Sequence, residues 1–163
     1  MAKILQVLDP SHQDWVLGGM FKDLRFGQES FEDRPIFISP PNTFLNIFRW
    51  IIQSLKVSRS EYVLFSSLTA LENFGRSRIK RKGQTLGVWF THQEFAFSNF
   101  ERKLLQRCRY IFVHSESTRN WLQTEFPKTH VIRFVGAIDL QRFNRPAKPG
   151  ADVVWVGTPV GRK

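Results

Sequence analysis

The residues that could do chemistry fall in a few short stretches. DPSHQD, residues 9–14, brings His12 and Asp14, and Gly18 and Gly19 follow. THQE, residues 91–94, brings His92 and Glu94, and HSES, residues 114–117, brings a third histidine with Ser115. GAID, residues 136–139, and the closing VGTPVGRK, with Arg162 and Lys163, complete the set. An imidazole at such positions can accept or donate a proton near neutral pH. The familiar alternatives are missing. G-x-G-x-x-G and G-x-x-x-x-G-K-[ST] are absent, which argues against a dinucleotide fingerprint and a P-loop. There is no G-x-S-x-G elbow for a hydrolase serine. No D-x-D pair is present to hold a metal on a sugar diphosphate. His12, His92, His114 and His130 show no metal-ligand spacing with one another or with Cys108. Cys108, four residues after Leu104 on the apolar side of a helical segment, reads as a packing residue.

These stretches follow apolar runs of strand length. Such runs occur at 3–9, 34–39, 61–67, 85–91, 110–115 and 130–136, with a seventh at 153–157. Most are continuous rather than alternating, so both faces of their sheet should be covered. Helical segments are expected at about 15–25, 43–57, 68–76, 98–109 and 117–126. Repeated strand–helix units of this length imply an α/β fold: a Rossmann-like, doubly wound parallel sheet with helices on both sides. Ligands of such sheets sit at the carboxyl ends of the strands, where the polar stretches fall.

Composition agrees with one domain. The chain has 163 residues, 42% of them apolar, with sixteen Phe and five Trp, enough for a bulky aromatic interior. The N-terminus does not read as a secretory signal, no apolar run spans a membrane, and a lone cysteine forms no internal disulfide, so a cytoplasmic location is expected. Twenty-four Lys and Arg against fourteen Asp and Glu give a net charge of +10, and seventeen of those bases lie beyond residue 60. An anionic partner would be nucleic acid, an anionic membrane surface or a phosphorylated small molecule. The densest cluster is RSRIKRKG, residues 76–83, with Lys80, Arg81 and Lys82. A solvated, solubilising loop is the plain reading of the same run.

FVHSESTRNWL, then VIRFVGAIDLQRF, then VVWVGTPVGRK together resemble the end of the N-terminal domain of a GT-B glycosyltransferase of the family 4 (glycosyl transferases group 1) type. The match lies in a strand ending near Ser115, a helix, a strand ending in the turn Gly136–Asp139 before Phe143, and an opening at Gly157 with Lys163. Thr158 stands where the family has an arginine, and Val135 where it has an asparagine. The resemblance implies an acceptor-binding domain over residues 1–145. Residues 146–163 would then be an interdomain linker and the first strand of a C-terminal domain that binds the nucleotide sugar. It implies a retaining, metal-independent transfer from a nucleotide-sugar donor, with no other cofactor, to a glycan, lipid or other acceptor. By itself this half would be inactive. His92 takes the catalytic position, holding a sugar hydroxyl or orienting the acceptor, with Glu94, His12, Asp14 and Ser115 as acceptor contacts. Gly18 and Gly19 resemble the glycine-rich loop through which backbone amides approach phosphate and acceptor, although a close helix contact explains the pair equally. Arg162 and Lys163 fall where cations offset the leaving diphosphate.

One segment raises a membrane question. In TFLNIFRWIIQSLKV, residues 43–57, helical phasing puts Phe44, Phe48, Ile51, Ile52 and Leu55 on a core face. Asn46, Arg49, Gln53 and Lys56 lie opposite, and Trp50 beside them. An exposed Trp50 flanked by bases would suit contact with anionic lipid and a peripheral place on the inner membrane face. The other reading is an ordinary amphipathic helix whose Trp is covered by a neighbour. A stand-alone basic module for nucleic acid or another polyanion is the competing function. It is disfavoured because no aromatics interleave with the basic run and no nucleic-acid motif occurs.

Overall fold

The structure is a computed structural model, and it describes residues 3–10, 31–32, 34–40, 42–79, 82–90 and 96–134. Six strands, β1 (Ile4–Leu8), β2 (Ile36–Phe37), β3 (Tyr62–Phe65), β4 (Thr85–Trp89), β5 (Tyr110–Val113) and β6 (His130–Arg133), form one sheet in the order β2-β1-β3-β4-β5-β6. Every pairing is parallel. Among the described residues four helices accompany them: α1 (Phe44–Arg59), α2 (Leu68–Gly75), α3 (Asn99–Leu105) and α4 (Glu116–Glu125). The fold is α/β with a Rossmann-like, doubly wound strand order, as the spacing of apolar runs predicts. Expected helix 15–25, strand 153–157 and turn 136–139 lie outside the described residues.

Each helix begins where a small hydroxyl can replace a missing backbone acceptor. The Thr43 hydroxyl accepts from the Asn46 amide at 3.3 Å, Ser67 from Ala70 at 3.2 Å, and Ser115 from Thr118 at 3.1 Å. Ser98 and Glu101 form a reciprocal capping box, with the Glu101 amide donating to Ser98 Oγ at 3.2 Å and the Ser98 amide donating back to the Glu101 carboxylate.

Four successive crossovers, from β2 through to β6, all step in one direction across the sheet. Right-handed connection therefore carries α1 to α4 onto one face. Side-chain parity agrees. Leu5, Val7, Val63, Phe65, Leu86, Val88, Ile111, Val113 and Val131 meet helix residues Val57, Ala70, Leu71, Phe74, Leu104, Leu105 and Leu122 in one core. Phe65 and Phe74, both almost fully buried, lie with ring centroids 5.6 Å apart. Burial of each such side chain is worth about 1.5–3 kcal/mol. Alternate residues point the other way: Leu8 and Trp89 form a second cluster with Phe37, Leu64, Phe112 and Phe134 beside it. On that second face Tyr62, Leu64, Gly87, Tyr110, Phe112 and Ile132 line an apolar groove of about 210 Å³.

The orientation of α1 corrects one expectation. Its inward face is Trp50, Ser54 and Val57, with Ser54 and Val57 fully buried and Trp50 half-buried against the core. The stripe expected to be core, Phe48, Ile51, Ile52 and Leu55, is exposed instead. Trp50 is thus no exposed lipid contact, because its indole N–H donates to the Asn73 carbonyl at 2.8 Å and ties α1 to α2. A buried indole needs such an acceptor, and the small Ser54 lets the helix approach one turn later.

Candidate functional site

Strand order reverses between β1 and β3, and in sheets of this kind ligands sit beyond the carboxyl ends of the strands that flank such a reversal. The residues at that place are polar. Asp9 follows β1 and is buried, as are Ser66 and Ser67 after β3. The Asp9 amide donates to Ser66 Oγ at 3.3 Å, and the Ser66 amide donates to the Val7 carbonyl at 2.9 Å. Ser67 is spent on capping α2.

Further along the same rim the strand ends turn aromatic. Trp89, the last residue of β4, is buried, and its indole N–H donates to Nε2 of His114 just beyond β5 at 2.8 Å. Since an indole can only donate, His114 Nε2 accepts, which assigns the neutral imidazole its proton on Nδ1. The two ring centroids are 5.2 Å apart, and Phe134 after β6 meets Trp89 edge-on at 4.9 Å. His114 is exposed. Three strand ends therefore present an aromatic ledge with one solvent-facing imidazole, on the same rim as a carboxylate and hydroxyls. The exposed His114 imidazole can hydrogen-bond a ligand's polar edge, while Trp89, being buried, holds that imidazole in place from behind rather than offering a face of its own.

Ser115 lies beside this ledge, but its hydroxyl is engaged at the start of α4. Besides accepting from the Thr118 amide, its Oγ lies 2.7 Å from Thr118 Oγ1 and 3.1 Å from Ser117 Oγ. The structure gives it a capping role. Glu116 in the next position pairs with Arg119 at 2.5 Å and with Arg133 at 4.0 Å.

Of the basic run, Lys82 is exposed, with Arg76 and Arg78. This places it at the opposite end of the strands from the ledge, just before β4. His12, Asp14, Gly18, Gly19, Lys80, Arg81, His92, Glu94, Arg162 and Lys163 lie outside the described residues. In sequence His12 follows Asp9 by three positions and His92 follows Trp89 by three. Sequence reading missed Ser66, Trp89 and Phe134 as site residues, and it included Asp9 and His114 in the strand-end stretches DPSHQD and HSES without giving either a role. The rim residues either end a strand, as Trp89 does, or directly follow one, as Asp9, Ser66, His114 and Phe134 do.

Cys108 is buried, its Sγ 3.6 Å from the Leu104 carbonyl, and burial pushes its thiol up to about 12. It has no part in the rim. Among the described residues no three His, Cys, Asp or Glu side chains group as a metal site, and no helix is long and apolar enough to cross a membrane. No family model, curated protein or solved structure matches this chain.

Proposed function

We propose that this domain is the acceptor-binding half of a retaining glycosyltransferase, which moves a sugar from a nucleotide-sugar donor to a glycan or lipid acceptor. The observation that carries the reading is the Trp89–His114 ledge at the carboxyl rim of a doubly wound sheet, on the same rim as Asp9 and Ser66. A sugar ring offers hydroxyls to the exposed His114 imidazole, which the buried Trp89 indole holds in place. The β5–α4–β6 unit, whose HSES turn caps the helix, contains the first of the stretches that carry the resemblance to the glycosyltransferase family. His92 is the group that orients the acceptor or holds a hydroxyl at the reacting centre. The donor is met by a second domain across the same rim, with Arg162 and Lys163 near its phosphates. Transfer in this reading is independent of metal, and the work belongs to the cytoplasm, in the synthesis of an envelope glycan.

Titration calorimetry tests this reading by comparing neutral oligosaccharides with single-stranded oligonucleotides at low and high salt. Saccharide binding that barely changes with salt is expected. Binding of oligonucleotides alone, falling steeply as salt rises, would overturn the reading in favour of a polyanion-binding module.

A further inference from the structure

The face of α1 that the sequence pattern assigns to the core is turned to solvent. Leu45 is 81% exposed, Phe48 54%, Ile52 55% and Leu55 42%. Their spacing of three, four and three residues makes one continuous stripe along a helix of sixteen residues. Contiguous apolar area of this kind stays in water at a cost of roughly 25 cal/mol per Å², so it marks a surface that something covers.

The charges around the stripe narrow the choice. Phe44–Arg59 contains Arg49, Lys56 and Arg59 and no acidic residue. Arg49 and Lys56 each follow a stripe residue, Leu45 and Ile52, by four positions, so they line one flank. The basic loop joins the end of the same helix. Gln84 Nε2 donates to the Val57 carbonyl at 2.7 Å and to the Ser60 carbonyl at 2.9 Å, and exposed Lys82 precedes it by two residues. Gly83, at φ 82, makes the turn between them. Lys82 is thus tethered close to the end of α1, the last turns of which carry Lys56.

We propose that the outward face of α1 is a docking surface for an anionic lipid bilayer, with Leu45, Phe48, Ile52 and Leu55 entering the headgroup boundary and Arg49, Lys56 and Lys82 meeting lipid phosphates. A second copy of this chain would set two acid-free helices against each other and bring like charges together. A soluble polyanion would meet the bases and leave the stripe in water. An anionic bilayer answers both features. Trp50 takes no part, since it faces the core. The inference does not rest on the glycosyltransferase reading.

The test is co-sedimentation of the full chain with vesicles of phosphatidylcholine and phosphatidylglycerol in equal parts, against vesicles of phosphatidylcholine alone. The chain should pellet with the anionic vesicles and lose that binding as salt rises. Leu45→Ser with Ile52→Ser should weaken it roughly tenfold or more, because the apolar area that enters the interface is gone. Arg49→Glu with Lys56→Glu should weaken it comparably. These positions are exposed, so melting curves of both double variants should match the parent and separate lost docking from lost folding. Failure of the parent chain to pellet with anionic vesicles would overturn the proposal, as would unchanged binding by the Leu45→Ser, Ile52→Ser variant. So would a concentration-dependent dimer that this variant abolishes, which would assign the stripe to a second copy.

Discussion

The indole N–H of Trp89 donates to Nε2 of His114 across 2.8 Å, joining the carboxyl ends of two neighbouring strands through residues 25 positions apart. One partner is buried and the other exposed, so the bond fixes the orientation of a surface imidazole from inside. Protonated imidazole has no acceptor, and the bond therefore exists only with neutral His114.

Trp89→Phe keeps a ring against Phe134 and removes the donor. The expected loss is about 0.5–1.5 kcal/mol of stability, the net worth of one hydrogen bond. Urea denaturation measures it. The nitrogen resonances of His114 should report at the same time that the Nδ1–H tautomer is no longer favoured.

Ser115→Ala removes the cap of α4 and should cost about 1 kcal/mol, within the usual range for a lost hydroxyl cap. Ser115→Asp, which supplies a carboxylate oxygen to the same amide and favours the helix N-terminus, should recover most of it. Thermal melts of the two variants check this. A loss equal in both would mean that the hydroxyl matters for something other than capping.

At Gly75 the close approach of α2 and α3 leaves no room for a methyl group. A Cβ there would stand 2.5 Å from Leu104 Cδ2 and 2.9 Å from Leu104 Cδ1, and Leu104 is itself buried. Gly75→Ala should destabilise by about 1–3 kcal/mol through overpacking. In a Leu104→Ala background the same change should cost much less, and a double-mutant cycle by chemical denaturation measures the coupling.

Cys108 makes a prediction about pH. Burial raises its thiol from 9.0 to about 12, so the folded chain holds this proton more tightly than the unfolded one. Its contribution to stability is complete below 9.0 and is lost as pH rises from there towards about 12. Thiol-reactive dye at neutral pH should label the chain only when denaturant unfolds it. Rapid labelling of the native chain would contradict the buried position.

Much of the scaffold is legible in the sequence. Among the described residues six of the seven apolar runs become parallel strands and four of the five helical segments become helices, because continuous Val, Ile, Leu and Phe suit a sheet interior and hydroxyl residues mark each of these helix starts. The phase of α1 is not legible. Its periodicity shows that one face is apolar, but which face turns inward depends on Trp50 finding the Asn73 carbonyl, a partner 23 residues away. The ledge escaped for the same kind of reason. Nothing local to Trp89 reveals that His114 stands beside it, and pairing of β4 with β5 alone brings them together. The polar residues were within reach, since Asp9 and Ser66 each directly follow a strand and the rim rule points to such positions.

The central claim is that the rim receives a saccharide, and the indole N–H resonances of nitrogen-labelled protein test it most directly. Trp89 reports the ledge, while Trp50, held on Asn73 between α1 and α2, serves as the control. On titration with neutral oligosaccharides, the account predicts that the Trp89 indole and His114 ring resonances shift together and saturate while Trp50 stays still. A Trp89 resonance that does not move with any saccharide, while oligonucleotides shift the resonances of Arg76, Arg78 and Lys82, would contradict it.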